Sequence, residues 1–189
     1  MKPFIFNSLF ARSELLPAQD EQPGSGIDVS VQRLRRDGRA WYAIRVSGLA
    51  RATPQASWQV LTGYERLQEF VPGLLSSTLL SRNGPEAILE QEGVAGFLLL
   101  QQAIHLVVRV IEQPFSTLDI SLISGDMQHY ASHWELQPAA QGKATRISYS
   151  GSMVPDFFVP PLLGSAILRA DVRRMMTAVL AEIGQRSGA

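Results

Sequence analysis

Residues 170–184, ADVRRMMTAVLAEIG, set Val172, Met175, Met176, Val179, Leu180 and Ile183 at steps of three and four. That spacing gathers them on one side of an α-helix and predicts a helix over about residues 161–185. Asp171 with Arg174, and Glu182 with Arg186, stand at spacings that pair side chains on its outer side. A helix with one apolar stripe must cover that stripe, so what precedes it decides the fold.

What precedes it has a period of two. Strands are predicted near 74–82, 86–94, 99–112, 116–123, 126–137 and 143–154, separated by RNGP, a bend around Gly93–Phe97, EQPFS, SGD and PAAQGK. Connections this short join antiparallel strands, because parallel ones need long crossovers. Upstream, IDVSVQRL and AWYAIRVSG alternate on either side of Asp37-Gly38 and predict a hairpin. Between hairpin and meander, Thr53 is placed to cap a helix with Pro54 at its first position. Trp58, Val60 and Leu61 give that helix an apolar side, and a second short helix runs from Tyr64 to Phe70. The fold class is therefore α+β, a curved antiparallel sheet of seven to eight strands wrapped around a long C-terminal helix. Two short helices follow the first hairpin. A cavity between sheet and helix is physically natural in such an arrangement.

The chain has 189 residues, 46% hydrophobic and 18% charged, with 17 basic and 17 acidic side chains and no cysteine. These totals describe one globular domain and no global field that would draw it to DNA. The missing cysteines exclude disulfides, thiolate zinc sites and cysteine nucleophiles. Residues 1–26 read as an N-terminal tail and linker. Lys2 and a short apolar stretch suggest a degenerate targeting segment, but Asn7, Ser8 and Arg12 interrupt it. The domain is expected over residues 27–186. Its location is expected to be the cytoplasm or a membrane periphery, with periplasmic export as the alternative. The sequence leaves the oligomeric state open.

Two of the three histidines lie in HYASHWE, residues 129–135. On a strand, residues four apart are about 13 Å apart, too far for one metal ion. Alternation puts His129 and His133 on one face, and Tyr130, Ser132, Trp134 and Leu136 on the core face. No metal site and no cofactor are expected. No GxSxG elbow is present, and GVAGF has no following lysine that would make it a phosphate cradle.

The segment ATPQASWQVLTGYERLQEFVPGLLSS resembles the opening of the START-like (SRPBCC) helix-grip superfamily. It is similar to the polyketide cyclase/dehydrase and coenzyme-Q-binding START-type branch at Trp58, Val60, Leu61, Thr62, Tyr64, Glu65, Phe70, Pro72 and Gly73. It departs at Gly63, where the branch usually has Asp. SGDMQHYASHWEL, KATRISYS and FFVPPLLGSAILRADVRRM resemble later family segments, so the likeness spans about residues 40–185. It implies a cavity for a hydrophobic small molecule such as a quinone, an isoprenoid lipid or a polycyclic compound. A cyclase or dehydratase acting on a bound poly-ketone is the alternative. A further one is an interaction protein of the ribosome-association toxin type.

The expected ligand-binding set is Leu106, Val108, Leu118, Ile120, Tyr130, Trp134, Tyr149, Met153, Phe157, Phe158, Leu163, Arg169 and Met176. Phe157 and Phe158, beside the Pro-rich turn of DFFVPPLLG, are the expected gate. If there is catalysis, Tyr130, Tyr149 and Arg169 are the candidates to donate protons or polarise a carbonyl. Six arginines crowd the first hairpin: Arg33, Arg35, Arg36, Arg39, Arg45 and Arg51. They make a weak contact with a membrane surface or a ribosome the only other partner expected.

Overall fold

Asp37 and Gly38 both adopt positive φ, 49° and 77°. That is what a two-residue turn needs to match the twist of its flanking strands. Strand β1 (Asp28–Arg36) accordingly pairs antiparallel with β2 (Arg39–Ala50), from Arg36↔Arg39 to Asp28↔Ser47. The computed structural model describes residues 26–97, 100–159 and 163–188, so the candidate targeting segment lies outside the described residues.

After β2 the Thr53 hydroxyl accepts a hydrogen bond from the Ala56 N–H at 3.2 Å, capping α1 (Pro54–Leu61). A 3₁₀ helix over Tyr64–Glu69 follows. These two pieces carry the chain to the far edge of the sheet, where β3 (Leu74–Asn83) begins. From there β4 (Glu86–Phe97), β5 (Leu100–Gln113), β6 (Thr117–Gly125), β7 (Met127–Ala139) and β8 (Ala144–Pro155) fold back one beside the next. The sheet order is β1-β2-β8-β7-β6-β5-β4-β3, with every pair antiparallel.

One boundary differs from expectation. Gly93–Phe97 is not a bend: β4 runs through it, paired with β5 from Gly93↔Ile104 to Phe97↔Leu100. Both strands keep their ladder partners, so the backbone gains nothing by leaving the sheet there.

The last element, α2 (Gly164–Ser187), lies across the concave face against β1, β2 and β4. Val172, Met176, Val179 and Ile183 are buried on it, Met176 and Ile183 completely. Each such side chain contributes about 1.5–3 kcal/mol on leaving water, which holds the helix against the sheet. Asp171 bonds Arg174, and Glu182 bonds Arg186, as the spacing predicts, but the second pair is largely covered, with Arg186 over the Phe70 ring. The facing strands supply Tyr42, Ile44, Val46, Ile147, Leu136, Val110 and Leu89, all buried.

Candidate functional site

The grip is incomplete. Beside the middle of α2, from Asp171 to Val179, sheet and helix leave two adjoining spaces. The inner chamber, about 160 Å³, is lined from the sheet by Leu89, Val108, Leu118, Ile120, Trp134 and Tyr149 and from the helix by Met175 and Val179. The outer vestibule, about 470 Å³, is bounded by Leu106, Ile104, Pro72, Val94, Asp171 and Arg174. Val71, Leu74, Gln91, Tyr130 and Met175 border both and form the neck between them.

Among the described residues, no charged side chain lines the chamber. Its polar groups are few and converge. Ser132 donates a hydrogen bond to the Tyr130 hydroxyl at 3.4 Å, and the Tyr149 hydroxyl belongs to the same cluster. Complete burial pushes the Tyr149 phenol well above its ordinary value, with Tyr130 reinforcing the shift. The Tyr149 hydroxyl therefore keeps its proton and can donate a hydrogen bond. Its ring meets Trp134 edge-on at 5.0 Å and lies across Gly151. A Cβ at Gly151 would stand 2.7 Å from that hydroxyl, so this position has room for no side chain. Across the neck, Gln91 donates to the Ser77 hydroxyl at 3.2 Å.

A carboxylate does approach the closed end of the chamber, already occupied. Glu112 accepts a hydrogen bond from the Tyr64 hydroxyl at 2.6 Å and from Arg82 Nη1 at 2.9 Å. Arg82 also lies over the Tyr64 ring at 5.6 Å. Burial, then the bond to Glu112, raises the Tyr64 phenol far above its usual range. At the vestibule, Arg174 is bonded to Asp171.

The histidines lie on the opposite face. His133 Nδ1 is 2.7 Å from Asp119, and His129 Nε2 is 2.8 Å from the Ser152 hydroxyl with its ring 4.8 Å from Trp41. His105 Nε2 is 3.0 Å from Glu90. Among the described residues no three histidine, aspartate or glutamate side chains gather as metal ligands.

Residues 51–180 match the model of a family described as polyketide cyclase / dehydrase and lipid transport. The chain belongs to that family. The likeness expected from Trp58 through the C-terminal helix thus extends over most of the protein. No curated protein matches the chain. Among solved structures it is similar to the Zhui aromatase/cyclase from Streptomyces sp. R1128, with TM-score 0.66 and 13% identity over 77% of this chain and 95% of that one. A STAR-related lipid transfer protein from Xanthomonas axonopodis gives TM-score 0.68 and 16% identity over 88% and 96%. A START superfamily protein from Mycobacterium smegmatis gives 0.65 and 12% over 76% and 97%. At such identities these likenesses show the shared helix-grip fold alone.

Within this family member the expected site residues divide. Val108, Leu118, Ile120, Tyr130, Trp134 and Tyr149 line the chamber, and Leu106 and Tyr130 line the vestibule. Met176 is fully buried under the helix and borders neither space. Met153 packs against the core beside Tyr130 and Tyr42. Arg169 is exposed on α2 and lines neither compartment, so of the three catalytic candidates only the two tyrosines meet. Phe157 is half-buried, while Phe158 and Leu163 are 81% and 52% exposed. Residues 160–162 of the expected gate lie outside the described residues. Gln91, Tyr64 and Glu112 were not foreseen as site residues. For Glu112 a signal existed: it continues the inward series Val108, Val110 by two.

Proposed function

We propose that the chain binds an uncharged, largely apolar small molecule, a quinone, isoprenoid lipid or polycyclic ketone, between the sheet and α2. The observation that carries this reading is a chamber without charge whose convergent polar groups are the hydroxyls of Tyr130 and Tyr149. Apolar walls exclude water from the ligand body, and a phenol hydroxyl orients one carbonyl or hydroxyl on it. A carboxylate would find no unpaired cation there among the described residues and would carry its full desolvation cost. The vestibule falls within the range of about 300–1,000 Å³ usual for ligand pockets, and the chamber extends it inward.

Native mass spectrometry with solvent extraction, followed by titration of tryptophan fluorescence with a short-chain quinone in the parent and in Trp134→Phe, tests the proposal. Saturable quenching that a fatty acid fails to reproduce is the expected result. A protein that purifies empty and takes up neither quinone nor polycyclic ketone overturns it.

The enzyme reading, a cyclase or dehydratase acting on a bound poly-ketone, is favoured by one observation: Tyr130 and Tyr149 converge as proton donors. Among the described residues no carboxylate or histidine lines the chamber to act as a base, and Glu112 at its end is engaged by Tyr64 and Arg82. Turnover of a poly-ketone that falls sharply in both Tyr130→Phe and Tyr149→Phe would favour it over simple binding.

A further inference from the structure

The first hairpin, the start of α2 and the cavity mouth occupy one end of the molecule. Tyr42 pairs with Arg33 across β1 and β2, and its hydroxyl would lie 2.7 Å from a Cβ at Gly164, the first residue of α2. Further along the same helix, Asp171, Val172, Arg174 and Met175 border the vestibule. Residues 33–39 hold four arginines against the single acid Asp37, and all four are exposed. The other acids toward this end stand on other elements: Asp171, paired with Arg174, and Glu92 border the vestibule, Asp126 lies between β6 and β7, and Asp156 follows β8. On the segment leading into α2, Phe158 and Leu163 present large apolar side chains to solvent, 81% and 52% exposed, and Leu163 adjoins Gly164, which packs on Tyr42 opposite Arg33. A cationic rim next to protruding apolar side chains complements one kind of surface.

We infer that this end docks on an anionic lipid bilayer, with Phe158 and Leu163 entering the interface and the hairpin arginines meeting headgroup phosphates. Charge and oil act together there. Each arginine near an anionic surface strengthens binding about five-fold, and the apolar side chains gain from leaving water. The mouth would then open toward the phase that holds apolar ligands. A nucleic acid explains less. It has no use for Phe158 and Leu163, and Trp41 already has Arg36 at 5.8 Å from its ring centre and His129 at 4.8 Å.

Flotation of the full chain with phosphatidylcholine vesicles, with and without phosphatidylglycerol, tests the docking. Binding to the anionic vesicles that weakens with salt is expected. R33Q/R35Q/R39Q should reduce it about 100-fold, and Phe158→Ser roughly ten-fold on the same vesicles. All four side chains are exposed, so folding should not limit the variants. Equal flotation with neutral and anionic vesicles, or a triple variant that floats like the parent, overturns the inference. So does capture of RNA through the same arginines without vesicle binding. Quinone titration in vesicle-free buffer should be unchanged in the triple variant, so this inference and the cavity reading fail separately.

Discussion

Replacing Glu112 by alanine removes the acceptor that Tyr64 and Arg82 share. The carboxylate side chain is only 10% exposed, and Tyr64 is buried at 5%. The Tyr64 bond is short, 2.6 Å, and its acceptor is charged, a type of bond that contributes about 1.5–3 kcal/mol. Arg82 is 39% exposed and its pairing is screened by water, so it adds only about 0.2–1 kcal/mol. The expected loss is therefore roughly 2–4 kcal/mol, most of it through Tyr64. For a chain of this size that lowers Tm by about 4–16 °C. Urea denaturation of the parent, Glu112→Ala, Tyr64→Phe and the double variant isolates the shared term. With Tyr64→Phe already made, Glu112→Ala should cost only the Arg82 share, leaving a coupling of about 1.5–3 kcal/mol. Glu112→Gln keeps an acceptor for the phenol and should lose less than alanine does. A coupling below about 0.5 kcal/mol would refute the assignment of Tyr64–Glu112 as the fastening at the closed end of the chamber.

Tyr64 and Tyr149 both have phenols raised in the folded state, chiefly by burial, so they keep their protons after the unfolded chain has released them. Stability is full below about pH 10 and falls as pH rises beyond it, by up to about 1.4 kcal/mol per pH unit for each tyrosine. Urea midpoints measured from pH 8 to 11 should show the fall begin later or flatten in Tyr149→Phe. Thr53→Ala removes the cap on Ala56 and should cost about 1 kcal/mol by the same denaturation, with quinone titration unchanged. Gly151→Ala drives a methyl against the Tyr149 phenol and should cost about 1–3 kcal/mol while weakening quinone uptake. An alanine variant with parental stability and uptake would mean that Tyr149 is free to move.

The sheet was legible because side-chain direction on a strand follows from counting by two, and HYASHWE shows how far that carries. Once Trp134 is assigned inward, Tyr130 and Ser132 follow, and His129 and His133 are left to Ser152 and Asp119 outside. Counting also reaches Glu112 from Val108, but its meaning does not. Only the fold brings Tyr64 within hydrogen-bond distance across 48 residues. Helices are less forgiving at the edges of a stripe: Arg169 borders the apolar side by spacing yet stands in solvent.

The cavity was the least legible feature. The same Val, Leu and Ile at the same positions would fill a flatter grip or line a deeper one, since the gap depends on how sheet curvature and helix position combine. What distinguishes a pocket from a badly filled core is the treatment of its polar groups. Leaving Tyr130 and Tyr149 in an otherwise oily chamber would weaken a core meant only for packing, where every polar atom adds a burden to satisfy. Here the charged groups nearest the chamber are paired, Glu112 with Arg82 at its closed end and Asp171 with Arg174 at the vestibule, while the phenols of Tyr130 and Tyr149 line it. That division favours a ligand that brings one hydrogen-bonding group of its own and no charge.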